Sequence, residues 1–171
     1  MSSSAAKTLV LDGMLNSMWK SYLSRVSHAA KYAELMEQKG GRAMNDHIAF
    51  RSVNTFTGSQ PAGGQALIRL FEPLGYTVKG EYVFPDKHLT AKHLQHATNP
   101  NAPKIFVSQL EVEKLPKRYA SMVKETVMDA VDPLSNDAKS LLKLLEQKEN
   151  VSLNVIERTY LINQLLKCFV R

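Results

Sequence analysis

A chain of 171 residues with 44% apolar, 22% charged and 8% aromatic side chains has an ordinary globular composition, which excludes collagen, low-complexity disorder and a disulfide scaffold. The net charge of +6 is spread out, with 13 basic and 9 acidic side chains in 1–116 and 9 and 7 in 117–171. That pattern lacks the basic stripe of a nucleic-acid binder and suits a small anionic ligand. The single cysteine, Cys168, cannot close an internal disulfide, and no apolar run reaches the roughly 18 residues of a membrane span. Asp12 interrupts the first apolar stretch, so no signal peptide is expected. The expected compartment is the cytoplasm, with an organelle as the alternative, and neither nucleic acid nor membrane is an expected partner.

Leu11, Met14, Leu15, Met18, Trp19, Tyr22, Leu23 and Val26 recur at spacings of three and four, which predicts an amphipathic helix. Ser27 is the expected cap of a second helix through Ala29, Ala30, Ala33, Leu35 and Met36, and Gly40-Gly41 ends it. From His47 to Val53 the polar and apolar positions alternate, as in a strand. A loop of turn formers, 57–64, leads to a helix that buries Leu67, Ile68, Leu70 and Phe71 and stops near Gly75. Three extended segments follow at 76–84, 89–97 and 104–112, with Pro85-Asp86 and Asn99-Pro100-Asn101 as turns.

The order is βαβββ: one crossover, then two hairpins. After Pro116, three helical stretches are divided by Asp132-Pro133 and by Glu149-Asn150-Val151-Ser152. Leu141, Leu142, Leu144, Leu145, Ile156, Leu161, Ile162, Leu165 and Leu166 are expected to face a core. The expected class is therefore α+β in one compact unit. N-terminal helices (1–43) precede a βαβββ module with a small, curved mixed sheet (44–116) and a helical segment (117–171).

Strand alternation puts His47, Ala49 and Arg51 on one face and Ile48 and Phe50 on the other, under the helix. His47 and Arg51 then share the open face, about 13 Å apart along the strand. A neutral imidazole is a good ligand for iron, zinc or copper, and a guanidinium fork matches a carboxylate. The alternative for His47 is a histidine hydrogen-bonded at a sheet edge. Asn45-Asp46 either orients that imidazole or makes a turn. Of the remaining histidines, His28 is read as capping or surface. His93 shares a face with Leu89, Ala91 and Gln95, while His88 and His96 fall on the other. In the last strand Ile105, Val107, Gln109 and Glu111 share one face, and Gln109 is either a substrate amide or a surface residue. No phosphate-cradling glycine loop, GxSxG elbow or paired-cysteine site is present.

Met44-Asn45-Asp46-His47-Ile48-Ala49-Phe50-Arg51 resembles the opening motif of the DUF1338 family, the 2-oxoadipate dioxygenase/decarboxylases related to the vicinal oxygen chelate (glyoxalase-like) superfamily. The resemblance continues in the same order at Leu74-Gly75-Tyr76, Gly80-Glu81-Tyr82-Val83-Phe84, Leu89-Thr90-Ala91-Lys92-His93 and 102–110, and covers about residues 11–116. It implies a βαβββ module and a non-haem iron(II) enzyme that uses O2 to convert a 2-oxo diacid such as 2-oxoadipate into 2-hydroxyglutarate, in lysine degradation. It also implies that His47 is the first iron ligand and that Arg51 grips a substrate carboxylate. The family's second histidine and its glutamate belong to a second module, past a helical segment, and neither is placed in this chain. Ser108-Gln109-Leu110 stands where the family often has Ser-Glu-Leu. No residue is assigned to catalysis itself. A second module, or a second copy in a homodimer, is the expected partner. A non-catalytic half-module that binds a partner or a small acid, and a glyoxalase-type metal-dependent lyase or isomerase, are the alternatives.

Overall fold

The computed structural model describes residues 3–147 and 151–169. The apolar periodicity near the N-terminus folds as α1 (Ser3–Arg25), which buries Val10, Leu11 and Met14 and packs Leu15 and Met18 at the edge of the same core. Next comes α2 (Ser27–Gln38). Its start differs from expectation: Ser27 is the first helical residue, and Val26 takes the N-cap position with no side-chain cap bond. Only Ala33 of α2 is buried and Leu35 is 48% exposed, so this helix adds little apolar contact.

Strand β1 (His47–Val53) alternates as expected, with Ile48 and Phe50 packed against the core and His47, Ala49 and Arg51 exposed. It leads through the turn-rich loop to α3 (Gln65–Phe71), which buries Ile68, Leu70 and Phe71. A 3₁₀ turn, Glu72–Leu74, ends at Gly75 with φ 99°. A Cβ there would stand 2.7 Å from the His96 Nε2, so this position combines a left-handed backbone with a close approach that only glycine allows. Then follow β2 (Tyr76–Phe84), β3 (Leu89–His96) and β4 (Lys104–Leu110).

The sheet order is β1-β4-β3-β2. β1 and β4 are parallel, and the other two pairs are antiparallel hairpin neighbours. The β1–α3–β2 connection therefore crosses the whole sheet, and the architecture is the mixed βαβββ expected of an α+β chain. The last strand is shorter than predicted, since Val112–Lys114 turns into a 3₁₀ segment.

The C-terminal part forms α4 (Lys117–Val127), α5 (Asn136–Gln147) and α6 (Val155–Lys167). Asn154 caps α6 in a reciprocal capping box with Glu157. Of the predicted break at 149–152, Glu149 and Asn150 lie outside the described residues. Leu142, Leu145, Leu161 and Leu165 are buried, but Ile156 is 80% exposed. One turn before Leu161 and Leu165, their helix face passes through Glu157 and Arg158, so Ile156 in the first turn is rotated off it.

One core cluster joins α1, α3, α5 and α6 to a single face of the sheet. At its centre Phe71 packs against Phe50 (ring centroids 5.9 Å apart) and edge-on to Tyr76 (5.6 Å), with Phe169 stacked on Phe50 at 5.0 Å. The opposite face contributes nothing to this cluster: His47, Ala49 and Arg51 are exposed there, while Leu89, Ala91 and Ser108 are buried. Among the described residues, no helix is long and apolar enough to cross a membrane.

An ionic clamp ties the helices to the crossover. Asp132, with its side chain only 7% exposed, receives both terminal nitrogens of Arg69 (2.9 and 2.7 Å), Lys139 Nζ (2.8 Å) and the Leu134 N–H. Burial alone would raise the Asp132 carboxyl, but these partners outweigh it and hold it well below the usual carboxylate range. A folded-state value below the unfolded one contributes stability above about pH 4, lost progressively as the pH falls further. Asp132→Asn is expected to lower stability by about 3 kcal/mol at pH 7 and to flatten its acid dependence. Urea unfolding at pH 7 and pH 3 checks both.

Candidate active-site face

The open face of β1 presents His47, Ala49 and Arg51, and its partner strand β4 brings Lys104, Phe106 and Ser108 directly beside them. Asp46 Oδ2 stands 3.3 Å from His47 Nδ1, while Lys104 Nζ lies 3.8 Å from the other carboxylate oxygen. The carboxylate engages Nδ1 and leaves Nε2 as the ring's second nitrogen. The His47 side chain is 62% exposed. This is the carboxylate–histidine arrangement that fixes the tautomer of a metal-binding imidazole.

Arg51 is held differently. Its Nε donates to Ser108 Oγ at 2.8 Å, and that hydroxyl donates in turn to the Phe50 carbonyl at 3.0 Å. The guanidinium thus leans across β4 with both Nη atoms left for a carboxylate. Ser108 was not among the residues singled out in the sequence. Strand parity assigns its face: Ser108 alternates with the core residues Ile105 and Val107 and so shares the face of Arg51, where it is buried.

The same face continues onto β3 and β2. His93 lies opposite Phe106, and Ala91 opposite Ser108. Tyr82 pairs with Ala91, and its Oη is 2.9 Å from His93 Nδ1. His93 therefore lies on the open face with His47 and Arg51.

Gln109 does not. It sits on the helix-covered face, where its Oε1 accepts the Gly64 N–H at 2.7 Å and its Nε2 donates to Glu111 at 3.1 Å. The sheet separates it from Arg51, and its amide, expected either at a substrate or at the surface, makes a tie between β4 and the start of α3. The Thr90 hydroxyl, then the Asn54 and Gln109 amides, hold the neighbouring Glu111 carboxyl below the ordinary glutamate range. His96 accepts the Asn99 and Thr98 N–H groups in the β3–β4 turn. His88 takes a left-handed backbone (φ 51°) in the β2–β3 turn, and His28 is exposed on α2. Among the described residues, no three His, Cys, Asp or Glu side chains cluster as a metal site.

Comparison with known proteins gives these features a context. The sequence profile of the 2-oxoadipate dioxygenase/decarboxylase family matches residues 12–170. A Ralstonia eutropha JMP134 protein described as belonging to the glyoxalase superfamily superposes with a TM-score of 0.86 at 28% identity, over 94% of this chain and 50% of its own. The hydroxyglutarate synthase of Oryza sativa, solved with 2-oxoadipate, aligns at 20% identity with a TM-score of 0.61, over 97% of this chain and 66% of its own. A Shigella flexneri protein that includes domain DUF1338 aligns at 15% identity with a TM-score of 0.68, over 95% of this chain and 46% of its own. At these identities the last two speak for the fold alone. The chain thus spans about half the length of the Ralstonia structure. A search of curated proteins finds no match.

Proposed function

Since this chain belongs to the 2-oxoadipate dioxygenase/decarboxylase family, we propose that it supplies one half of an iron(II) site that oxidises and decarboxylates a 2-oxo diacid such as 2-oxoadipate. The reaction takes up O2 and yields CO2 and 2-hydroxyglutarate, with all atoms accounted for. The observation that carries the reading is the shared open face of His47 and Arg51, one with a carboxylate behind its ring, the other braced on Ser108.

The donor chemistry fits the metal. An imidazole with Asp46 at Nδ1 offers Nε2 as a ligand, and the exposed ring leaves room for further ligands. His47 would hold the ion from this chain. Bound iron would supply a template for the 2-oxo acid and activation of O2. Arg51 binds the far carboxylate and sets the diacid's direction along β1, with Ala49 leaving space between the two ends. Asp46 keeps the imidazole in one tautomer.

Two ligands beyond His47 are needed for a 2-His-1-carboxylate site. A second module is the proposed source, whether a further segment or a second copy. Among the described residues, β1 has β4 on one side and no strand on the other. Beside that edge runs a groove of about 750 Å³ lined by Trp19, Tyr22, Tyr32, His47 and Phe169. An unpaired edge strand flanked by apolar surface suits a second module.

With no such cluster among the described residues, a second reading is a non-catalytic half-module. Iron analysis with O2 uptake separates the two. Stoichiometric iron with O2 consumption on adding 2-oxoadipate supports the enzyme. Iron-free protein that leaves O2 untouched after anaerobic Fe(II) loading supports the half-module. Turnover without O2 would instead indicate a lyase or isomerase.

A further inference from the structure

We infer that β1 receives an extended segment of alternating acidic and apolar residues, added to the sheet as a fifth strand. This rests on the proposed docking of a second module at this edge and names what that module presents.

The two edges of the sheet differ. On β2 the register slips between Val78 and Gly80, with the charged Lys79 in the bulge and Glu81 just past it, which discourages pairing. On β1 the register with β4 runs unbroken from His47 to Val53, and no proline or lysine interrupts it. Arg51 leans inward onto Ser108 of β4, so its side chain does not screen the edge.

The backbone of β1 is free on that side. In a parallel ladder, successive residues turn their N–H and C=O groups to opposite neighbours. The Asp46 carbonyl accepts the Lys104 N–H at 2.9 Å, and the Asn54 N–H donates to the Leu110 carbonyl at 2.8 Å, so the even positions face β4. The odd positions face the edge, and there the Val53 carbonyl accepts the Gly63 N–H at 3.1 Å. Gly63 closes that end, which leaves His47, Ala49 and Arg51 with both backbone groups turned outward.

Side-chain alternation sets the chemistry of the segment. On one face an added strand lies beside His47 and Arg51, where carboxylates suit it. Asp46, next to His47, already has Lys104 Nζ at 3.8 Å. On the other face the strand lies beside Ile48 and Phe50 and enters the groove walled by Trp19, Tyr22, Tyr32 and Phe169, where apolar residues suit it. The groove lining includes Arg25 and no aspartate or glutamate. A second copy of this chain is the poorer occupant. Its own β1 would set histidine and arginine against histidine and arginine, between chains of net charge +6.

The probe is a blocked heptapeptide of alternating glutamate and valine, titrated to millimolar concentration into the isotope-labelled, iron-free chain and followed by NMR. The amide signals of His47, Ala49 and Arg51 are expected to shift, and those of Ile48, Phe50 and Ser52 much less. Lysine in place of the peptide's glutamates should weaken binding by about tenfold or more, because like charges then meet across the strands. Ala49→Pro removes an outward N–H and no bond to β4, so the melting temperature should hold while peptide affinity falls about tenfold. Ala49→Glu, at an exposed position, keeps the backbone intact and should also weaken the acidic peptide. No shift at millimolar peptide, shifts confined to other strands, or equal affinity for the two peptides would overturn the inference. A dimer in sedimentation at the same chain concentration, abolished by Ala49→Pro, would give the edge to a second copy and overturn it too. Iron retention by His47 is measured without the peptide, so the proposed function stands or falls separately.

Discussion

Complete loss of iron is the expected result of His47→Ala in the active assembly. With a 2-His-1-carboxylate set, removing one neutral imidazole takes away a third of the protein ligands and leaves a position that water fills. His47 is exposed on an edge strand, with Asp46 at its ring and Lys104 as its cross-strand partner. The fold should therefore tolerate the change, with a melting temperature near the wild-type value. Iron per protein after anaerobic loading and gel filtration, read beside the melting temperature, separates loss of a ligand from loss of structure. Retained iron in a folded variant would remove His47 from the ligand set. Asp46→Asn should act through the same ring but more weakly, lowering iron affinity by about 10- to 100-fold.

Arg51→Ala is expected to weaken 2-oxoadipate binding by roughly ten- to a hundredfold while leaving iron content unchanged, since a charge-assisted hydrogen bond contributes about 1.5–3 kcal/mol. The guanidinium is the part of the face that can take two carboxylate oxygens at once, and Ser108 holds it over β4. Arg51→Lys should recover only part of the affinity, because a lysine ammonium keeps the charge without the planar fork. Ser108→Ala is the complementary variant. It leaves the charge in place but frees the side chain, so it should raise KM more than it lowers kcat. Steady-state kinetics of the three variants checks the order Ser108→Ala, Arg51→Lys, Arg51→Ala in increasing severity.

Much of the scaffold was legible in the sequence because its signals are local. Period-2 alternation in His47–Val53 and punctuation by Gly75, Pro85-Asp86 and Asn99-Pro100-Asn101 fix the strands and turns of the βαβββ unit with little help from distant residues. The same alternation put His47 and Arg51 on the open face. What was not legible depends on pairing across strands. Parity already puts Gln109 on the face of Ile105 and Val107, but only the packing of the crossover against that face brings the Gly64 N–H onto its amide oxygen. Ser108 and Tyr82 gain their places only when β4, β3 and β2 line up with β1, because the strand order brings the first and last strands of the module together. Ser27 and Ile156 illustrate a smaller limit: one residue of helix phase or boundary decides between cap and first turn, or between core and solvent.

Whether the His47 imidazole meets a metal on the face where Arg51 meets a diacid is read by an anaerobic Fe(II) titration followed by NMR. The side-chain N–H signals of the five histidines and of Arg51 are recorded before and after 2-oxoadipate is added. His47 is expected to broaden first, ahead of His28, His88, His93 and His96. The Arg51 Nε–H signal is expected to shift when 2-oxoadipate is then added. A His47 signal that stays sharp while another histidine broadens, or an Arg51 signal indifferent to the diacid, would contradict this reading of the face.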